Sequence, residues 1–290
     1  MPKPRCDAPC PCGSGKKYKN CCGSKALLKR QNSQNTDTVA RMKARIPDST
    51  LMNHLKSGTE AIVNSFDRLY QKELDEIGTI HSHICALCRA ASHDARRTQD
   101  KCRTECVVLI WNALHTTVAA LELLRRGFRL QSRILLRNVL ESVSVVLHLC
   151  HSEDGLRKFA KGMLETKICL ASAKKAFPAF GRWYGLLSEH YVHIGLPHRL
   201  LHRDNVLFEK RTDELNYIVA LIRACFWFIY VAGELPFCHL LANPRYWHPS
   251  QDGSPSLYVD PSPEGKAWRQ TYATPIQDAP APDIGTVGGE

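Results

Sequence analysis

Four cysteines near the amino terminus, Cys10, Cys12, Cys21 and Cys22, are spaced Cys-x-Cys-x8-Cys-Cys, and that spacing constrains the first two dozen residues more tightly than any other feature constrains the rest. Thiolates are the commonest ligands where zinc holds a small fold together, four of them in a tetrahedron. Two ligands one residue apart can chelate from a single tight turn. Gly13-Ser14-Gly15, directly after them, lets the chain reverse around an ion. Residues 1–24 hold almost no apolar side chains and cannot bury enough surface to fold alone. Metal binding is therefore expected to supply their folding free energy. Cys6 is a spare thiol, because the other four already fill the shell.

The run Cys10-Pro-Cys-Gly-Ser-Gly-Lys-Lys-Tyr-Lys-Asn-Cys-Cys22 resembles the SEC-C motif, a zinc module found at the C-terminus of the translocation ATPase SecA and in many otherwise unrelated bacterial proteins. The likeness includes the proline between the first ligands, the Gly-Ser-Gly turn, the Lys-Lys-Tyr-Lys run and a final Cys where the family has Cys or His. It implies one Zn²⁺ on Cys10, Cys12, Cys21 and Cys22, and a module that docks its host onto a protein partner such as a chaperone, or onto the ribosome. Lys16, Lys17, Tyr18 and Lys19 lie between the ligand pairs. Two readings stand for them: a basic partner-binding surface with one aromatic for packing, or a tyrosine that covers the sulfurs with lysines that keep the knuckle soluble.

Charge singles out the same end of the chain. The first 45 residues hold eleven Lys/Arg against two Asp, a net +9 of the chain's +11. Four thiolates and one Zn²⁺ would lower the arm to about +7. RNA, an anionic membrane surface or an acidic protein face would each be attracted to it in a salt-dependent way, and a solvated tether accounts for it equally well. Thirteen cysteines without an apolar leader point to a reducing cytoplasm, where clustered thiols are metal ligands or buried residues.

The remainder reads as an all-α bundle of five to seven helices. Residues 25–49 form a basic linker, 50–242 the helical domain, and 243–290 a mostly irregular tail that holds eight of the sixteen prolines. Apolar residues from Leu51 to Ile84 recur on one helical face, with Gly58 and Gly78 as weak points. Further helical stretches are expected over Thr98–Leu124, ended by Arg125-Arg126-Gly127, and over Leu130–His151, Gly155–Ala176, Gly181–Val192 and Asp213–Leu235. Ile218–Gly233 is apolar or small except for Arg223. It is slightly short for a bilayer, which needs about 20 such residues, and a buried bundle helix is preferred to a membrane span.

Three clusters within the helical domain invite a chemical reading. His81, Cys85 and Cys88 fall on one helical face, and Cys102 and Cys106 on one face of the next helix. A turn near His93–Arg97 would let Cys85, Cys88, Cys102 and Cys106 meet as a second metal site, for zinc or an iron–sulfur cluster, although small buried core cysteines explain them as simply. Arg133, Arg137 and Glu141 stack at spacings of four among apolar neighbours, and Ser188 or His193 could complete a polar site. An ordinary ion pair within one helix is the simpler account. His190, His193, His198 and His202, with Asp204, crowd fifteen residues, without a ligand spacing that commits them to a metal.

The stretch Gly127-Phe-Arg-Leu-Gln-Ser-Arg-Ile-Leu-Leu-Arg-Asn-Val-Leu-Glu141, with Tyr184-Gly-Leu-Leu-Ser-Glu-His-Tyr-Val-His193 downstream, resembles an uncharacterised bacterial helical family, the domain of unknown function numbered five-six-seven-seven. Arg137-Asn138 also starts the Arg-polar-x-x-x-His motif of HEPN-type ribonucleases, but Ser142 stands where the histidine belongs, and without that base, or an equivalent from His193, the proton transfer lacks its agent. The favoured reading is a zinc-tagged docking protein and not an enzyme. The alternative is a HEPN-like RNA-cleaving effector in defence or stress.

Overall fold

The helix-forming periodicity from Thr59 onward closes into one bundle in the computed structural model, which describes residues 5–24, 52, 55–56, 59–177, 180–189, 198, 207–248, 257–258 and 262–274. The chain divides into two compact units, Met1–Ser57 and Gly58–Glu290. Residues 25–49, the expected linker, lie outside the described residues.

Eight helices occur among the described residues of the second unit: α1 (Thr59–Thr98), α2 (Lys101–Arg125), α3 (Arg129–Leu149), α4 (Glu153–Ala160), α5 (Thr166–Ala176), α6 (Phe180–Leu187), α7 (Asp213–Phe237) and α8 (Pro263–Tyr272). This is one above the top of the expected range of five to seven, and two of the eight were not anticipated. Gly162 adopts a positive φ of 66° and breaks the anticipated Gly155–Ala176 helix into α4 and α5. The tail read as irregular contributes α8, whose Ser262 hydroxyl accepts from Gly265 N–H as N-cap and whose first residue is Pro263, the position where a missing N–H costs nothing. A two-residue antiparallel ladder also pairs Trp247 with Tyr258 and His248 with Leu257.

The helix ends follow local chemistry. Gly127 takes φ 82°, and the N–H groups of Gly127 and Phe128 return to the carbonyls of Leu124 and Leu123, so the left-handed cap read from Arg125-Arg126-Gly127 is present. The turn expected at His93–Arg97 comes later, at Gln99, which has φ 53°. The carboxylate of Asp100 then accepts from Arg103 N–H to start α2. Gly78 does not interrupt α1; the non-helical point is Tyr70.

α7 is the centre of the bundle and packs against α1, α2 and α3, while α5 and α6 cover α3 and α8 covers α7. Twenty of its residues are buried, so it is apolar all round, as a helix enclosed by others should be. α2 and the Asp213–Leu240 stretch are both long and apolar enough to cross a membrane, and the apolar window of the latter lies wholly inside the bundle. Phe228 on α7 meets Phe180 at 5.2 Å and Trp183 at 5.0 Å between ring centroids. Arg223, the charge in mid-helix, pairs with Glu76 on α1.

Two buried carboxylates fasten the ends of this bundle. Asp94, 3% exposed, joins Arg97, Arg103 and His239 at 2.8, 3.2 and 3.0 Å. Its hydrogen bond from Arg97 leads the causes that hold its carboxyl below the usual range. Glu234, fully buried on α7, accepts the backbone N–H groups of Tyr246 and Trp247 at 2.6 and 3.0 Å through one oxygen. Burial pushes its pKa up, against the pull of those N–H groups.

Candidate metal centre

Residues 8–10 and 16–18 run antiparallel. Cys10 N–H donates to Lys16 carbonyl at 2.9 Å and Tyr18 N–H to Ala8 carbonyl at 2.8 Å, around an isolated bridge between Pro9 and Lys17. The chain reverses between these strands through Gly13 (φ 77°) and Gly15 (φ 70°), conformations that an L side chain rarely adopts. A single 3-10 turn, Tyr18–Asn20, then returns Cys21 and Cys22 to the first pair. A Cβ on Gly23 would come within 2.5 Å of the Tyr18 carbonyl oxygen, so the chain after the last ligand needs glycine there to pass so close.

The result is a knot of sulfur. The ligand atoms of Cys10, Cys12, Cys21 and Cys22 all lie within 4.8 Å of one another, and no other such group of His, Cys, Asp or Glu occurs among the described residues. Cys12 Sγ is 3.4 Å from both Cys10 Sγ and Cys21 Sγ. Tetrahedral thiolates at about 2.3 Å from zinc would stand about 3.8 Å apart, so the donor set fits a divalent ion of that size after small side-chain adjustments. Its protonation fits too. The Ser14 hydroxyl, followed by the neighbouring thiols, holds Cys12 down to about 6, whereas hydrogen bonds that the Cys22 thiol donates to Cys10 and then Cys12 and Cys21 push Cys22 up to about 12. Four thiols this close cannot all ionise unless a cation sits among them.

The charges around the knot are partly spent within the module. Asp7, which the sequence reading passed over, accepts Lys19 Nζ at 2.7 Å and lies 3.7 Å from Lys17 Nζ. Tyr18 is half-buried, and its Cδ1 stands 3.0 Å from where a Gly23 Cβ would be. Lys16 is exposed and makes no ion pair among the described residues.

With that geometry in hand, the comparisons bear on the same short segment. The SEC-C motif description matches residues 8–24. The chain carries a SEC-C motif. Over 27 residues it is also 70% identical to an uncharacterized protein, YccF, from Bacillus subtilis, a stretch that spans 9% of this chain and 8% of that relative. No solved structure matches the chain. The likeness is thus a likeness of the SEC-C module, which now has a defined ligand geometry, and it does not extend to the helical unit.

The second thiol cluster is rearranged relative to expectation. Cys85, Cys88, Cys102 and Cys106 do not converge as a four-sulfur group. Cys85 instead contacts His81 at 3.7 Å on its own helix, and Cys88 is buried in the core. Cys102 Sγ donates to the Leu149 carbonyl at 3.5 Å, at the end of α3, and Cys106 is buried. The first turn of α2 thus meets the last turn of α3.

The polar residues on α3 split into two groups. Arg137 and Glu141 form the expected pair at 3.1 Å, bridged by Tyr184 on α6, whose hydroxyl accepts from Arg137 at 3.0 Å and donates to Glu141 at 2.9 Å. The Tyr184 hydroxyl is the first cause that raises the Arg137 pKa. Arg133, only 1% exposed, reaches across to Glu214 on α7 at 2.8 Å, and Arg129 reaches the same carboxylate at 2.7 Å. Ser188 Oγ is buried with no hydrogen-bond partner among the described residues. His193, like His190, His202 and Asp204, lies outside the described residues. Ser142, in the position of the missing histidine, donates to its own helix at Asn138 carbonyl. Sequence reasoning missed Tyr184 and Glu214 as partners. Tyr184 opens the quoted downstream stretch, but only contact across 43 residues reveals its role.

Proposed function

We propose that Cys10, Cys12, Cys21 and Cys22 bind one Zn²⁺ and that the SEC-C module so formed docks the chain onto a protein or ribosomal partner in a reducing cytoplasm, bringing the all-α domain with it. The observation that carries this reading is the convergence of four sulfurs within 4.8 Å in a segment that has no core of its own. Zinc is favoured over softer or redox-active ions because four thiolates on a short loop are its commonest structural setting. Its chemistry here is to hold the loop. The protein supplies the rest: Gly13 and Gly15 turn the chain, Asp7 anchors Lys17 and Lys19, and Lys16 is left as a cation for an acidic or phosphate-bearing face.

The test has two stages. Metal analysis of reduced full-length protein is expected to return one zinc per chain, lost in Cys12→Ser and Cys21→Ser. Co-sedimentation with ribosomes, and capture of protein partners by the purified chain, are then compared between the zinc-loaded protein and Cys12→Ser. Loss of binding with the metal supports docking through the module. Equal binding by both proteins, or zinc content untouched by the serine variants, overturns it.

A further inference from the structure

α2 is more apolar than its place in the bundle requires. Both α2 and the Asp213–Leu240 stretch hold an 18-residue window apolar enough for a membrane, yet that window is wholly buried in the latter and only 39% buried in α2. The face that α2 gives to α1, α3 and α7 runs from Cys106 and Ile110 through Ala113 and Thr117 to Ala120 and Leu124. Away from that face, Val108 is 48% and Val118 41% exposed, with Trp111 half-buried and His115 exposed between them.

These residues belong to one seam. Thr104, Val108, Trp111, His115, Val118 and Glu122 follow one another at steps of four and three, the spacing with which one helix meets another along its length. Its polar members are already engaged within the chain. The Thr104 hydroxyl donates to Asp100 carbonyl at 2.8 Å, which leaves its methyl for packing, and Glu122 pairs with Arg125 and Arg126. In the middle, the rings of Trp111 and His115 lie 5.5 Å apart, so the seam carries at its centre the residue type that most often dominates an interface.

We propose that this seam joins two copies of the chain, packed antiparallel about a two-fold axis. Reversed on itself, the seam is self-complementary. About a centre at Ala113, Val108 comes level with Val118 of the second copy, Trp111 with His115, and Thr104 with Glu122, and each pair is made twice, as a two-fold interface requires. Charge complementarity points to the same occupant. Asp100 and Lys101 at the amino end meet Arg126 and Glu122 at the carboxyl end, which puts unlike charges on both rims and opposes the two helix dipoles. Arg125, level with Lys101, is already held by Asp67 on α1. In a parallel pairing every one of these charges would face its own kind. A bilayer is a poorer match, because Asn112 and His115 stand in the middle of the stripe.

The test is sedimentation equilibrium of zinc-loaded full-length protein, with reductant present so that no disulfide joins chains. The mass is expected to rise reversibly from 32.7 kDa toward twice that value over about 1–100 µM. Val108→Lys and Val118→Glu each set a charge against a valine twice per dimer, and each is expected to raise the dissociation constant at least about tenfold. The double variant sets lysine against glutamate at both places and is expected to return to within about threefold of the wild type. Both positions are exposed, so helical circular dichroism should match the wild type in all three. A chain that stays at 32.7 kDa throughout overturns the proposal, whether its stripe is taken by vesicles of phosphatidylglycerol, with which the protein then floats, or by residues of the same chain. A dimer that Val108→Lys leaves intact overturns it as well, and so does a double variant that fails to recover what the single ones lose.

Discussion

The SEC-C module and the helical unit solve the same problem by opposite means. Among the module's described residues Cys10 is the one buried hydrophobic side chain, and its backbone is held by a few hairpin hydrogen bonds and two left-handed glycines. The helical unit encloses α7 on every side. One has geometry without a core, and the other has a core that needs no ion. Ordering a residue costs about 1–2 kcal/mol of backbone entropy, which twenty apolar-poor residues cannot recover from burial. For the module the recovery must come from metal–sulfur bonds, and for the bundle it comes from side chains such as Phe228 and Trp227.

The largest expected effect separates the two outright. Removing the metal with a chelator, or substituting Cys12→Ser, should abolish ordered structure in residues 8–24, because structural zinc contributes about 10–16 kcal/mol of apparent binding free energy in small modules. The helical circular dichroism and its melting transition should hardly move. Amide resonances of the module that stay dispersed without metal would break the comparison. Phe228→Ala is its mirror image. Loss of a ring packed among Phe177, Phe180 and Trp183 should cost about 3–5 kcal/mol in denaturant unfolding of the bundle and leave zinc content at the wild-type value.

How far each region could be read in advance follows from the same contrast. The metal centre was legible because its ligands, turn glycines and spacing all lie within thirteen residues, and a local motif carries local geometry. The Gly127 cap and the apolar helix α7 were legible for that reason too. Contacts across the chain were not. Nothing in the periodicity of α3 says that Arg133 pairs with Glu214, 81 residues away, or that Cys102 meets the Leu149 carbonyl at its end. α8 escaped notice because prolines dominate the composition around it, although Ser262-Pro263 is a good helix start.

Glu234 gives the next effect in size, and it sharpens what the bundle does with polar groups. Glu234→Leu leaves the N–H groups of Tyr246 and Trp247 buried without an acceptor, at about 1–3 kcal/mol each. Glu234→Gln keeps an acceptor and should fold normally. The pH dependence distinguishes the two forms of this carboxyl. Its folded pKa is raised by burial, so between the unfolded and folded values the native state holds a proton that the unfolded state has released, and stability falls as pH rises through that window. Urea titrations across pH 4–8 should show this decline in the wild type and its absence, for this group, in Glu234→Gln. A wild-type profile no steeper than that of the glutamine variant would mean that the carboxylate stays ionised in the bundle.

Tyr184→Phe is the smallest change and the most telling about α3. The hydroxyl bridges Arg137 and Glu141, yet those two side chains are already 3.1 Å apart and the ring lies 5.3 Å from the guanidinium carbon. Removing one oxygen therefore strands neither charge, and a net hydrogen-bond loss of about 0.5–1.5 kcal/mol is expected. Both partners are partly exposed, so water replaces what the phenol gave. A much larger loss would place the phenol at the centre of a buried network extending toward Ser188, whose oxygen has no partner among the described residues. Since the module's ligands are remote in sequence and belong to a separate unit, Tyr184→Phe, whose unfolding in urea reads the hydrogen-bond loss, should equal the wild type in zinc content. Any drop in it would show that the two means of folding are coupled.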